Sequence, residues 1–580
     1  MSAPLSWLCL LPLGAGLLAL ALRRGGRVAA CTGATLAFLF LLLLGLRLEA
    51  GAAGTLRALT PALVEARVEA RVAGGEVIRE RIAARAMAGM TYEEQADLAE
   101  ALSGRVLAQE QLAAAQVTSD VAAIHSGELA LRQAAHEERR LRGALSALDG
   151  ELGTLRRARA TSLGDATFPE LRTWLPGVRS QWFVALDGIG LLAGLAATLL
   201  ALCSSLIVAK GREAGGILLG TALLLIAALA QDALLFASAW TGFVLLGAGS
   251  LIRTSDGDEE EVRQSVVRFL VPGLLGALVL GGACLWLTAR AGSLDFPALR
   301  ATAAELGPRR QAILLLAFVL AAATRLPLPP FHGWFPASAT SVDPGKLAFL
   351  QGGSLILGTL GLVRLAAPCA PAALSDPRVG AALFAWGVLS AGFLALAALG
   401  ERDLRRQAAL SGACLGALVA AGFAVGEFGQ RGALLEGTVG ALAGAAALLA
   451  AGITAKRGGA DAVALGGVGK LAPRLATASA IAALALAGLP LSAGFAARAH
   501  ILRGAWANLP TWAVLLSLLP LALLGLGLWW SYQRVFLGER RGAGRVRDLD
   551  LLEAGALATL LLAVVLVGVD PLRWLELLAR

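Results

Sequence analysis

The chain has 580 residues, of which 57% are hydrophobic and 16% are charged, and its mean hydropathy is +0.71. A soluble domain holds roughly 45–50% apolar and about 25% charged residues, so this composition excludes an ordinary soluble protein. The net charge of +9 therefore does not predict nucleic-acid binding, and the six cysteines show no spacing typical of a zinc, haem or iron–sulfur site. We predict an all-α polytopic membrane protein.

Apolar runs of about 18 residues or more, long enough to cross a bilayer core, recur along the chain. Short polar or basic segments separate most of them, which predicts short loops between antiparallel helices. About fourteen transmembrane helices are predicted, near residues 4–22, 28–48, 183–209, 214–230, 232–252, 266–289, 311–329, 345–366, 379–399, 403–426, 432–455, 472–500, 511–535 and 552–571.

The basic residues of the short loops predict the orientation. The sequences "RRGGR", "KGR", "ERDLRR", "KRGG" and "ERRGAGRVR" all follow odd-numbered spans. Short loops rich in arginine and lysine stay on the cytoplasmic side of the membrane. We therefore predict a multi-pass protein of the bacterial cytoplasmic (inner) membrane with both termini in the periplasm.

A polar, arginine-rich insert at 49–182 divides the first two helices, 1–48, from a twelve-helix domain at 183–580. Thr91 and Glu94 fit a capping box at a helix start. Further on, leucines step by four and three residues, which predicts a short coiled-coil seam, at Leu141, Leu145, Leu148, Leu152 and Leu155. The pattern indicates a helical hairpin on the periplasmic side, either packed on itself or serving as a docking surface for a neighbouring subunit.

The seventh span ends in "RLPLPPFHGWFPASA" at 325–339. Pro327, Pro329 and Pro330 cannot continue a helix, because each lacks an amide donor and each ring clashes with the preceding turn. Arg325 before them would cost roughly 2.5–3.5 kcal/mol near the bilayer centre. Two interpretations follow: the break lines a wet cavity, as in ion carriers, or it lies near the surface and Arg325 snorkels to water.

This stretch resembles the "K-x-P-x-x-P-F-H-x-W-L-P-D-A" signature of the antiporter-like membrane subunits of respiratory complex I, which are related to multisubunit cation/proton antiporters. Further similarity to that family lies in "WFVALDGIGLL" at 182–192, "QDALLFASAW" at 231–240, "DLRRQAALSG" at 403–412 and "ALAGLPLSAGF" at 485–495, where Pro490 predicts a second broken helix. The "DGI" entry to the third span favours the M-type subunit. The resemblance implies fourteen spans, two of them broken.

The resemblance also implies a proton path along the membrane midplane. The family carries a glutamate in the fifth span, a lysine in the seventh, a lysine in the eighth, a histidine and often a lysine in the eleventh, and a lysine or glutamate in the twelfth. At those places this chain has, in order, Thr241, Arg325, Gly358, Gly440 with Gly444, and Arg498. Arginine keeps its proton, because its pKa stays far above physiological pH. We place none of the four lysines, at 210, 346, 456 and 470, in the middle of the membrane.

Two functions therefore stay open. The chain is a proton-translocating subunit that uses substitute groups, or it is a degenerate subunit that keeps the fold and the interfaces without the pump; the substitutions favour the second. The substitute groups are Asp187, Asp232, His332, Glu436 and His500, of which Glu436 and His500 are predicted near membrane depth. A third hypothesis is another assembly with this fold, such as a cation/proton antiporter, a membrane-bound hydrogenase or an inorganic-carbon uptake complex.

The resemblance implies partners rather than cofactors for this chain. No nucleotide-binding motif or cluster ligand set is present in the sequence, so we assign it no active site of its own. NADH, flavin, iron–sulfur clusters and quinone are expected in partner subunits. The predicted partners are other membrane-arm subunits of a complex I-like assembly and the lipid bilayer.

Overall fold

The computed structural model describes residues 4–21, 26–49, 166–175, 180–208, 210–252, 259–539, 541 and 546–578. The chain divides into two compact units, residues 1–49 with 170–580 and residues 50–169, and nearly all described residues belong to the first. The capping box at Thr91 and the leucine seam at 141–155 lie outside the described residues. The helical hairpin therefore stays a prediction.

Helices dominate the first half of the described chain. In lipid, a single segment can satisfy all its backbone hydrogen bonds only as a helix, and the long runs of leucine and alanine adopt that form. The helices are α1 (Pro4–Ala21), α2 (Gly26–Glu49), α3 (Gly188–Ile207), α4 (Gly211–Leu229), α5 (Ala233–Ile252), α6 (Glu259–Ala291), α7 (Phe296–Ala304) and α8 (Pro308–Arg325).

The second half continues in the same way, with short non-α turns at three places: 3-10 turns at Phe331–Gly333 and Val468–Lys470, and a π turn at Leu362–Ala366. Its helices are α9 (Trp334–Ser338), α10 (Pro344–Gly361), α11 (Ala367–Cys369), α12 (Pro371–Leu374), α13 (Pro377–Gly400), α14 (Leu404–Phe423), α15 (Gly426–Gly458), α16 (Pro473–Ala487), α17 (Ala493–Asn508), α18 (Thr511–Phe536), α19 (Leu551–Val569) and α20 (Pro571–Leu578).

The prediction of an all-α polytopic membrane protein is confirmed. Each predicted span contains a helix, and eleven helices in the described part of the chain are long and apolar enough to cross a membrane. The number of crossings itself stays a prediction. The chain is a multi-pass membrane protein.

A short β-hairpin precedes α3, and the sequence analysis did not predict it. Strands β1 (Ala166–Leu175) and β2 (Ser180–Asp187) form a two-stranded sheet. Strand β2 also reaches the connection between α4 and α5, where the Gln231 amide donates to the Phe183 carbonyl at 2.8 Å. The hairpin thereby brings the third- and fifth-span sequence motifs side by side, and its end positions Asp187.

The helices form an inner and an outer group. The two groups differ in the share of buried residues in the most apolar 18-residue stretch of each long helix. This share is 94% in the span Pro344–Cys369 and in α14, but 28% in α18 and 33% in α2 and α19. The outer helices therefore present apolar faces to lipid, and α10 and α14 form the centre of the bundle. The candidate site lies along α10 and the neighbouring helix α15.

The seventh and twelfth predicted spans are both interrupted, as the sequence analysis predicted. Helix α8 ends at Arg325, and the chain resumes helical form only at Phe331, after Pro327, Pro329 and Pro330. The second break lies between α16 and α17. It contains Gly488 at φ +78° and Leu491 at φ +73°. Both values lie in the left-handed region, which terminates a helix readily at glycine and is uncommon for leucine.

The predicted orientation can be tested across α13, whose two ends carry exposed loop residues. We expect Ser375→Cys to react with a membrane-impermeant thiol reagent in intact cells, because Ser375 lies before α13 on the predicted periplasmic side. Arg402→Cys lies after α13 and is expected to react only in permeabilised cells. The opposite pattern would place both termini in the cytoplasm.

Candidate functional site

Arg325, the last residue of α8, is completely buried in an aromatic setting. Its Nη2 donates to the Phe269 carbonyl at 3.3 Å. The guanidinium carbon lies 4.6 Å from the Phe269 ring centroid and 5.8 Å from that of Trp334. Its Nε and Nη1 have no hydrogen-bond partner, and no described carboxylate forms an ion pair with it. Because the chain turns after Arg325, Trp334 packs against the Arg325 guanidinium.

Arg498, on α17 just after the second break, is paired with Glu436 of α15. Its Nε and Nη2 donate to the Glu436 Oε1 at 3.2 and 3.1 Å. Its Nη2 also donates to the Leu486 carbonyl at 2.6 Å, in the last turn of α16. Arg498 is 5% exposed and Glu436 is fully buried. One guanidinium thus joins both sides of the break to α15.

Close approach of the Arg498 side chain explains the glycine in the second break. A Cβ on Gly488 would lie 2.4 Å from the Arg498 Nη1, and the φ of Gly488 is +78°. Any side chain at 488 would therefore meet both backbone strain and the guanidinium. Glycine at 488 therefore leaves the space that the Arg498 side chain occupies.

The three glycines at family lysine and histidine positions lie on α10 and α15. A Cβ on Gly358 would contact the Cβ of Arg325 at 3.2 Å, and one on Gly440 would lie 3.5 Å from the Glu436 Cδ. A Cβ on Gly444 would lie 3.2 Å from the Gln351 Nε2. The structure therefore brings together most of the positions that the resemblance singled out, in one row along α10 and α15.

Several buried polar atoms along this row have no hydrogen-bond partner among the described residues. They are the two amide atoms of Gln351, the Ser354 hydroxyl, the Glu436 Oε2 and the Arg498 Nη1. Buried polar groups of this kind are ordinarily satisfied by ordered water. The row can therefore hold water, but it carries a permanent positive charge at Arg325 and a carboxylate already bound at Glu436.

The sequence analysis missed a third buried arginine. Arg364, in the π turn after α10, donates through Nη2 to the Asp187 Oδ1 at 2.6 Å and to the Ala228 carbonyl at 2.5 Å. Asp187 also accepts from the Gly190 amide at 2.6 Å and so caps α3. The sequence signal was a lone arginine in the apolar run "SLILGTLGLVRL", where the cost of burial demands a partner.

A buried lysine was missed in the same way. Lys346, in the first turn of α10, lies 3.3 Å from the Glu213 carboxylate in the first turn of α4, and its side chain is 4% exposed. The sequence analysis gave no lysine a role within the bundle. Lys346 and Glu213 line a small cavity of about 20 Å³ under Phe243 and Phe349.

Four predicted site residues do not join the row. The Thr241 hydroxyl donates to the Ala237 carbonyl at 2.8 Å, and the Nδ1 of His500 lies 3.0 Å from the Ala496 carbonyl of its own helix. The His332 ring packs edge-on against Phe393 at 5.3 Å. Asp232 is fully buried, where it caps α5 through the Leu234 and Leu235 amides at 2.9 Å.

Comparison with known proteins identifies relatives of this arrangement. Residues 230–523 match the family described as NADH:quinone oxidoreductase/Mrp antiporter, TM. NADH-quinone oxidoreductase subunit M of Mycobacterium tuberculosis is 29% identical over 323 residues, which cover 53% of this chain and 57% of that protein. The match thus spans little more than half of the mycobacterial relative.

A second relative is covered more completely. NADH-quinone oxidoreductase subunit 13 of Thermus thermophilus is 30% identical over 400 residues, or 68% of this chain and 84% of that protein. Among solved structures, a chain of respiratory complex I from Thermus thermophilus with bound NADH superposes with a TM-score of 0.65 at 25% identity, covering 74% of this chain and 95% of that one.

Proposed function

Because this chain belongs to the NADH:quinone oxidoreductase/Mrp antiporter family of transmembrane proteins, we propose that it is a membrane-arm subunit of a complex I-type NADH-quinone oxidoreductase. The coverage of the Thermus complex I chain, 95% at 25% identity, is the observation that carries this assignment. The redox chemistry would lie in partner subunits. A cation/proton antiporter complex is the second candidate host, since the family description includes both.

The finer proposal is that this subunit keeps the antiporter fold but does not move protons. Arg325 stands where the family has a titrating lysine, and guanidinium groups hold their proton at all physiological pH values. Gly358, Gly440 and Gly444 offer no titratable group. The single carboxylate in the row, Glu436, is engaged by Arg498 at 3.1 Å. Fixed charges of this kind support a structural role.

One observation favours the opposite function. Lys346 and Glu213 form a buried lysine–carboxylate pair, and such a pair can exchange a proton where a guanidinium cannot. If the subunit moves protons, this pair is the group in the described part of the chain best suited to the step. Its position in the first turns of α4 and α10 places it at one end of the bundle rather than in the row.

Proton translocation per electron in the purified complex, reconstituted in vesicles, separates these functions. We expect the complex to contain the other subunits of an NADH-quinone oxidoreductase, and we expect Glu436→Gln to leave the proton-to-electron ratio unchanged. Glutamine keeps the shape and an acceptor for Arg498 but cannot release a proton. Glu427→Gln is the matched control, because Glu427 is an exposed glutamate on the same helix.

Three results would contradict the proposal. A lower ratio for Glu436→Gln with normal assembly would indicate a working path through the row. A lower ratio for Lys346→Met would instead assign the proton step to the pair with Glu213. Recovery of antiporter subunits without any redox partner would place the chain in the second candidate host.

A further inference from the structure

A pocket of about 360 Å³ lies beside the first break. Four elements converge on it: the start of α6, the turn and helix that follow the break, the end of α13 and the start of α14. The charged side chains that line it are Arg268, Arg406 and Glu401, and His332 lies in its wall. Neither the proposed function nor the row of buried charges uses this pocket.

The side chains of the two arginines of the pocket have no partner among the described residues, whereas those of two arginines nearby do. The Arg268 and Arg406 side chains are exposed and make no hydrogen bond or ion pair with the described residues. By contrast, Arg263, five residues before Arg268, pairs with Glu260 at 2.7 Å. Arg405, adjacent to Arg406, pairs with Asp403 at 2.8 Å. The two guanidinium groups that line the pocket are therefore unpaired among the described residues, whereas those of Arg263 and Arg405 each pair with a carboxylate.

The acidic groups nearby do not neutralise these two charges. Glu401 accepts from the backbone amides of Arg402 and Asp403 at 2.9 and 3.1 Å. Burial opposes ionisation of Asp403, but hydrogen bonds from the Arg405 side chain and amide hold the pKa of that carboxyl below its ordinary value. Asp403 is thus ionised and paired with Arg405. The pocket itself is lined by two arginines and one glutamate, so its net charge is positive.

Apolar faces extend from the pocket along the outside of the bundle. On α13, Leu389, Phe393 and Leu396 are exposed at helical spacing, and Phe393 also lines the pocket. On α6, the exposed residues are Val267 and Val271. In a chain that spans a membrane, such faces contact acyl chains. A basic pocket therefore adjoins two lipid-facing surfaces.

We propose that this pocket binds the phosphate headgroup of an anionic phospholipid. Arg268 and Arg406 contact the phosphate, and the acyl chains lie along α6 and α13. Basic pockets between transmembrane helices recognise headgroups of this charge, and an amphiphile fits both the charge and the apolar faces. The occupant rests against the segment after the break and so braces Trp334, which covers Arg325.

Photo-crosslinking in the intact complex tests this site. The complex is reconstituted in phosphatidylcholine vesicles with a trace of photoreactive phosphatidylglycerol or, in parallel, photoreactive phosphatidylcholine. We expect the anionic probe to label peptides that contain residues 264–268 or 332–340 and the neutral probe not to do so. Arg268→Gln and Arg406→Gln should each reduce labelling about fivefold, and the double variant about 25-fold, from about 1 kcal/mol for each charge.

The matched controls are two arginines that do not line the pocket. Arg263→Gln and Arg402→Gln should leave labelling unchanged, and the double variant Arg268→Lys with Arg406→Lys should keep most of it. Equal labelling by both probes, or full labelling of the double glutamine variant, would overturn the site. Competition by inorganic phosphate would assign it to a soluble anion. Absence of labelling by either probe would indicate that a partner protein covers the pocket and would also overturn the proposal.

Discussion

Replacing Arg498 with methionine is expected to lower the free energy of unfolding by about 3–5 kcal/mol, because it leaves Glu436 buried without its counter-charge. The Leu486 carbonyl in the last turn of α16 would lose its donor as well. The measurement is the denaturant midpoint of the purified subunit in detergent, together with the amount of subunit assembled in membranes.

Two further variants isolate the cause. The double variant Glu436→Gln with Arg498→Met removes both charges and should recover much of the loss. Arg325→Met makes the same substitution at a fully buried arginine that forms no ion pair with a described carboxylate. It should cost far less, because it strands no anion. Equal losses for Arg325→Met and Arg498→Met would mean that side-chain volume, rather than charge pairing, sets the effect.

The second large effect is expected at Asp187. Asp187→Asn keeps a side-chain oxygen to cap α3 but removes the charge that pairs with Arg364 at 2.6 Å. A guanidinium that is 1% exposed would then lie in the bundle without an anion, at a cost of about 3–5 kcal/mol. Asp187→Ala also removes the cap and should cost about 1 kcal/mol more. Denaturant midpoints and the level of assembled subunit report both changes.

Asp403→Asn is the matched control for this pair. Asp403 caps α14 through the Arg405 amide, and its ion pair with the Arg405 side chain is partly exposed. Partly exposed pairs contribute about 0–1 kcal/mol, so this variant should be nearly as stable as the natural chain. A loss for Asp403→Asn as large as the loss for Asp187→Asn would show that removing any carboxylate from a helix cap, rather than leaving a buried guanidinium unpaired, sets the effect.

The fold could be predicted well from the sequence because two local rules decide it. Long apolar runs must be helical in lipid, and prolines must interrupt them. The breaks after Arg325 and around Pro490 therefore appear where expected. The β-hairpin at Ala166–Leu175 and Ser180–Asp187 was missed, because the apolar end of its second strand was included in the predicted third span, while its pairing involves the α4–α5 connection, which is distant in the sequence.

The charged groups were harder to predict because their partners are distant in the chain. Arg364 and Asp187 are 177 residues apart, and Lys346 meets Glu213 across two helices. The family pattern drew attention to Arg498, and the search for substitute groups drew attention to Glu436; these two residues do meet. The family pattern offered no reason to join Arg364 to Asp187. His500 was expected in the path because it was predicted near membrane depth, yet it lies two residues after Arg498, and residues two apart on a helix face different directions.

The glycine at 358 has a consequence for how this subunit can evolve. A Cβ there would lie 2.8 Å from the Leu326 side chain, so the space that a lysine would need is filled by the residue that follows Arg325. A chain that acquired lysine at 358 would first need a shorter side chain at Leu326 to make room for it. A single substitution to lysine therefore meets a packing barrier at this position, and two coordinated changes are needed to place a titratable group beside Arg325.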